Sequence, residues 1–190
     1  MRLVSFTHDG SKHIGVLRGD SITDLGRAAP DLPNDMSAFL SAGAAAMQAA
    51  EAATGDDFTL SEVTLLSPVP RPGKILAVAL NYSDHLKEVQ EAMPDFPTPQ
   101  TPMLFTKQNS SVTGPFDAIY LPPESEQLDY EAELAIVIGK TCRRVPKARA
   151  HEVIAGAMVA NDVSIRDWQM ASQTMTMGKS WDSHCPMGPA

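Results

Sequence analysis

The chain has 190 residues, 43% of them hydrophobic, enough to bury an ordinary core and too apolar for global disorder. Fifteen basic residues against 23 acidic ones give a net charge of −8 and a pI near 5.0, which argues against nucleic-acid binding. Cys142 and Cys185 form no disulfide framework, and there is no secretory signal and no apolar run of about 18 residues, so a soluble, cytoplasmic protein without a membrane partner is expected.

The first stretch reads as a small meander. Leu3, Val4 and Phe6 lead to Asp9-Gly10, His13 to Leu17 lead to Arg18-Gly19-Asp20, and Ser21 to Leu25 follow. Short apolar and β-branched runs divided by such turn signals are hairpins. Met36 to Ala53, rich in Ala, Leu, Met and Gln and closed by Thr54-Gly55, reads as helix. In Ser67-Pro68-Val69-Pro70-Arg71-Pro72-Gly73 the prolines fix φ and remove donors. Residues 67–73 are therefore expected to link a small N-terminal domain (1–66) to a second domain (74–190). Lys74 to Leu80 is a buried-strand pattern running into Asn81 to Glu88, a loop that opens a short helix. Pro94, Pro97, Pro99 and Pro102 make residues 94–102 a loop. Glu133 to Gly139 reads as a strand, His151 to Met158 as a helix, and Val159 to Ser164 as a strand ending in polar residues.

The candidate chemistry begins in Asp129-Tyr130-Glu131-Ala132-Glu133. Glu131 and Glu133, two apart at the start of a strand, project from one face. Two carboxylates so placed repel unless a cation or proton lies between them, and a hard divalent cation such as Mg²⁺ suits oxygen ligands. From spacing alone the plainer reading, a solvated sheet edge, is favoured. Asp162 follows an apolar strand, where an acid serves a site or caps the next element. Arg166 and Gln169 share a face of a helical turn, and arginine offers a fork for a carboxylate, although a surface ion pair is the ordinary alternative. His85 and Glu88, also three apart, form a pair in which the acid orients the imidazole as a general base, and a chance H-x-x-E on an exposed helix is common. Lys179 is a candidate cation for an anionic intermediate, or else a surface lysine. His8, His13, His151 and His184 have no spaced partners and read as structural or exposed. No glycine-rich fingerprint, Walker A or GxSxG is present, so nucleotide binding and a serine-hydrolase mechanism lack support.

Five blocks, KILAVALNYSDHLKE, FTKQNSSVTGPFDAIYLP, LDYEAELAIVIGK, VANDVSIRDWQ and GKSWDSHCPMGP, resemble in order those of the fumarylacetoacetate hydrolase family and cover most of residues 74–190. The resemblance implies an α+β, mostly β fold: a β-roll catalytic domain, truncated at its C-terminal end, behind a small α+β N-terminal domain. It implies Glu131, Glu133 and Asp162 as ligands for Mg²⁺ or Mn²⁺ and His85 with Glu88 as the pair that activates water. It places Lys179, Arg166 and Gln169 at the substrate's oxo-acid end, with Lys107 and Ser110 as weaker contacts. The implied reaction is hydrolysis of the C–C bond of a 2,4-dioxo acid (an acylpyruvate or fumarylpyruvate type) by a homodimer. The alternatives are an isomerase or decarboxylase of an unsaturated 2-oxo dioate on the same metal, or a non-catalytic truncated subunit.

Overall fold

The computed structural model describes residues 1–190. The turn signals at Asp9-Gly10 and Gly19-Asp20 fold the first residues into strands β1 (Arg2–His8), β2 (Ser11–Arg18) and β3 (Ser21–Asp24), each antiparallel to the next. Asp24 then caps the short helix α1 (Leu25–Ala28), its carboxylate accepting the Gly26 amide at 2.8 Å. Helices α2 (Met36–Ser41) and α3 (Ala44–Ala52) follow, then strands β4 (Phe58–Thr59) and β5 (Thr64–Leu66). The sheet order is β4-β3-β2-β1-β5.

Period-two alternation gives this sheet two apolar faces. Ile14 and Val16 pack with Met36, Phe39, Ala46 and Ala50 of the helices, while Val4, Phe6, Leu17, Ile22, Phe58 and Leu65 form the other core. Complete burial of one such side chain, Phe39 for example, contributes about 1.5–3 kcal/mol. The single helix expected over Met36–Ala53 is broken in two, because Gly43 takes φ 78°, a value most side chains resist, and starts α3 on a new axis.

Residues 67–73 carry no regular element, yet they do not hang free. Ser67 and Val69 are buried, Ser5 Oγ donates to the Pro68 carbonyl at 2.8 Å, and Val69 joins the first core.

The remaining elements are β6 (Leu76–Ala79), α4 (Ser83–Ala92), β7 (Met103–Thr106), β8 (Val112–Thr113), β9 (Leu128–Asp129), β10 (Ala132–Ile138), β11 (Ile154–Asn161), β12 (Ser164–Ile165), α5 (Arg166–Met170), α6 (Thr176–Lys179) and β13 (Cys185–Gly188). They build a four-stranded sheet, β10-β11-β13-β8, and two ribbons, β12-β9 and β6-β7. The mixed, strand-dominated α+β architecture expected from the sequence is present. The core under the four-stranded sheet is Met158, Ala160, Cys185 and Met187 against Ala135 and Val137, and burial pushes the Cys185 thiol up to about 11.

The helix expected over His151–Met158 is absent. A 3-10 segment covers Lys147–Val153, and β11 begins at Ile154, in register with β10 from Ile138↔Ile154 to Ala132↔Asn161. The alanines of Ile154-Ala155-Gly156-Ala157 favour helix locally, but ladder bonds and burial of Met158 and Ala160 override that preference. The expected strand Val159–Ser164 is interrupted at Asp162-Val163, which leaves the ladder. No helix is long and apolar enough to cross a membrane.

His184 lies wholly inside, its Nε2–H donating to the Tyr120 carbonyl at 2.8 Å, and burial pushes its pKa below the ordinary 6.5. A depressed folded pKa means the unfolded chain binds the proton more readily, so this contribution to stability is full above the unfolded value and lost as pH falls. Urea midpoints should therefore decline between about pH 7 and pH 5, and His184→Gln should flatten that slope. An unchanged slope in the variant would contradict the assignment.

Candidate active site

The site forms where β9, β10, β12 and the residues between them meet α5 and α6. Asp129 ends β9, Glu131 precedes β10, and the Asp162 amide donates to the Glu131 carbonyl at 2.9 Å, so the two acidic residues lie side by side across the sheet edge. The Asn161 side chain accepts the Glu131 amide at 3.1 Å and fixes that edge. Val163 and Ile165, both fully buried, anchor the chain around Asp162.

Lys179 comes to these carboxylates from α6. Its position depends on Gly178: a Cβ there would stand 2.2 Å from the Gln169 backbone nitrogen, so only glycine lets α6 lie this close to α5. Trp168 and Trp181 meet edge-on at 5.4 Å and close the same joint. The Lys179 ammonium, on a side chain 1% exposed, donates to Glu131 Oε1 and Asp162 Oδ2, both at 2.8 Å, and sits 5.0 Å from the centre of the Phe105 ring. Lys107, also buried, donates to Asp162 Oδ1 at 2.6 Å and to the Val163 carbonyl at 3.1 Å.

Arg166 closes the outer side. It donates to Asp129 Oδ2 through Nε and Nη2 at 3.0 and 2.7 Å, and through Nη1 to Glu131 Oε1 at 2.6 Å and Gln169 Oε1 at 2.9 Å. Ser164 donates to Glu131 Oε1 at 2.9 Å. Burial alone would raise the Glu131 pKa, but the Lys179 ammonium, the Ser164 hydroxyl and the Arg166 charge hold it below the ordinary carboxylate range. The Arg166 guanidinium likewise holds Asp129 low.

Glu131, Asp162, Lys179, Lys107, Arg166 and Gln169 are thus brought together. Arg166 engages Asp129, Glu131 and Gln169, and the Lys179 ammonium sits buried between Glu131 and Asp162. Both side chains thereby stand against Glu131. Glu133 shares the Glu131 face of the strand but is turned to Tyr82, whose hydroxyl donates to its Oε2 at 2.9 Å. His85 and Glu88 lie together on α4 with Nδ1 and Oε2 3.4 Å apart, and their side chains are 56% and 75% exposed. Ser110 is exposed and makes no contact with the carboxylates, while its neighbour Ser111 is buried and donates to the Gln108 carbonyl.

Sequence reasoning missed Asp129, Ser164 and Tyr82. Asp129 was legible as the first of three acids at alternate positions, 129, 131 and 133, and Ser164 stands two residues after Asp162. Tyr82 carried no signal, since its role exists only through β10.

The donor set fits a divalent cation. Glu131 and Asp162 both present an oxygen to one point, now held by an ammonium, and Glu133 is a third hard oxygen donor from the same face. The three acids do not yet surround a common centre, in keeping with Glu133 being bound to Tyr82.

Residues 74–190 match the family model described as fumarylacetoacetate (FAA) hydrolase C-terminal, and residues 1–68 match Rv2993c-like, N-terminal. The chain belongs to the fumarylacetoacetate hydrolase family. It is 41% identical over 198 residues to the mitochondrial oxaloacetate tautomerase Fahd2a of Rattus norvegicus, covering 100% of this chain and 62% of that one. The solved fumarylacetoacetate hydrolase of Exiguobacterium antarcticum is similar at a TM-score of 0.75 and 33% identity, over 98% of this chain and 64% of its own. The maleylpyruvate hydrolase of Sphingobium sp. SYK-6, solved with manganese(II) and pyruvate, matches at a TM-score of 0.76 and 29% identity, over 100% and 66%. This fumarylacetoacetate hydrolase family chain therefore spans 62% of the length of that tautomerase.

Lys107→Met tests the buried pairing in this family member. The change leaves Asp162 with Lys179 alone, so the folded chain should lose about 2–3 kcal/mol in urea unfolding, below the loss for a wholly unpaired buried charge. A loss near zero would contradict the burial of this pair.

Proposed function

We propose that this member of the family is a Mg²⁺- or Mn²⁺-dependent enzyme of short anionic 2-oxo acids that interconverts the keto and enol forms of an oxaloacetate-like dicarboxylate. The observation that carries the reading is the convergence of Glu131 and Asp162 on one cationic point, backed by Lys107 and Arg166. Similarity to the rat tautomerase supports the choice of reaction. Glu131, Glu133 and Asp162 would hold the cation, which supplies Lewis-acid polarisation of the substrate's carboxylate and 2-oxo oxygens.

Charge explains the substrate class. With Asp129 included, four carboxylates stand against Lys107, Lys179 and Arg166 and leave one net negative charge. A divalent cation turns that into one net positive charge, which favours an anion. The buried ammonium groups of Lys107 and Lys179 would add positive charge near the developing enolate oxygen, Lys179 giving up its point between Glu131 and Asp162 to the cation. His85, with Glu88 behind its Nδ1, leaves Nε2 to take the proton from C3 and deliver it to the C2 oxygen to give the enol, the reverse transfer restoring the keto form. Arg166 and Ser164 keep Glu131 ionised and aimed.

Hydrolysis of a 2,4-dioxo acid is the second reading, favoured by the same His85–Glu88 pair and by similarity to the maleylpyruvate hydrolase. There His85 would deprotonate water for attack on C4, releasing pyruvate and a carboxylic acid.

The two readings separate by product. Decay of enol absorbance from oxaloacetate should quicken with Mn²⁺ and the chain, while a panel of acylpyruvates releases no pyruvate. Pyruvate release with no effect on the enol would favour hydrolysis. Glu131→Ala should reduce either activity by at least about a hundredfold, on the scale of losing one fixed transition-state contact. Full activity in that variant would overturn the metal site.

A further inference from the structure

Tyr82 occupies the N-cap position of α4, the helix that carries His85 and Glu88. Its hydroxyl donates to Glu133 Oε2 at 2.9 Å and accepts the Leu134 amide at 3.3 Å. α4 buries no residue of its own. The side-chain hydrogen bonds of residues 83–92 stay within the helix or reach only Phe96 and Thr98. Tyr82 therefore supplies the side-chain hydrogen bonds between the start of α4 and the strand of the candidate ligands. Glu133, two residues from Glu131 on one face, would be free to turn toward the cationic point if the phenol let go.

We propose that Tyr82 is a positioning residue that competes with the divalent cation for Glu133, so that cation binding and the freedom of α4 are coupled. Without the cation, the phenol satisfies Glu133 and pins the start of α4 to β10. When Mg²⁺ or Mn²⁺ binds, Glu133 leaves Tyr82 for the cation, the hydroxyl keeps only the Leu134 amide, and the end of α4 nearest His85 is released. A bond from O–H to carboxylate is among the stronger hydrogen bonds, so breaking it weakens the apparent affinity for the cation. The inference rests on the metal reading above.

The test is Mn²⁺ titration of the full chain by electron paramagnetic resonance, with amide hydrogen exchange over residues 83–92. Tyr82→Phe keeps the ring and removes the competing hydroxyl, so it should bind Mn²⁺ about threefold to tenfold more tightly. In the wild type, Mn²⁺ should speed exchange at the start of α4, whereas in the variant exchange should be fast with or without the metal. A merely structural tyrosine would lower stability and leave the Mn²⁺ affinity unmoved. Equal or weaker binding by the variant, with wild-type binding intact, overturns this inference alone. Absence of Mn²⁺ binding by the wild type overturns it together with the metal reading. If Tyr82→Phe fails to fold, the wild-type exchange experiment decides: unchanged or slower exchange on adding Mn²⁺ overturns the coupling.

Discussion

A single buried ammonium, that of Lys179, holds Glu131 and Asp162 together. Two carboxylates at one sheet edge repel each other in a medium of low dielectric, and neither tolerates burial without a counter-charge. Lys179 meets both at 2.8 Å, and Lys107 and Arg166 take the remaining approaches. The local fold serves that contact. Gly178 lets α6 reach α5, the two tryptophans brace the turn, and the departure of Asp162-Val163 from the ladder brings Asp162 beside Glu131.

Such an arrangement stores function as much as stability. An ion cluster this dry contributes little net stability compared with apolar packing, but removing one member is costly. Its value is orientation: oxygen donors are fixed at one point before any ligand arrives. The His85–Glu88 pair belongs to a different regime. It rides on a helix that buries nothing, and its tie to the carboxylate strand is Tyr82. The molecule thus combines a buried cationic floor with an exposed His85–Glu88 pair, the pair proposed above for proton transfer.

Much of this was legible in the residues. The meander followed from Asp9-Gly10 and Gly19-Asp20, and the strand and short helix around Asn81 followed from the apolar run into a polar opening. The face shared by Glu131 and Glu133 followed from period two. What failed has a common cause, in that local preference was overruled by partners distant in sequence. Ile154 to Met158 is a strand because β10 lies beside it, and α2 and α3 are separate because Gly43 takes a positive φ. The contact of Arg166 with Asp129, 37 residues away, was likewise not visible in spacing. The attachment of Glu133 to Tyr82 spans 51 residues and left no trace in spacing.

The claim on which the functional account turns is that Glu131, Glu133 and Asp162 can close on one divalent cation that keeps positions open for a 2-oxo acid. Mn²⁺ binding to the chain, measured with and without oxalate as a mimic of the planar enolpyruvate end, tests it most directly. The account predicts that Mn²⁺ binds and that oxalate strengthens the binding. An absence of Mn²⁺ binding, or binding indifferent to oxalate, would contradict it.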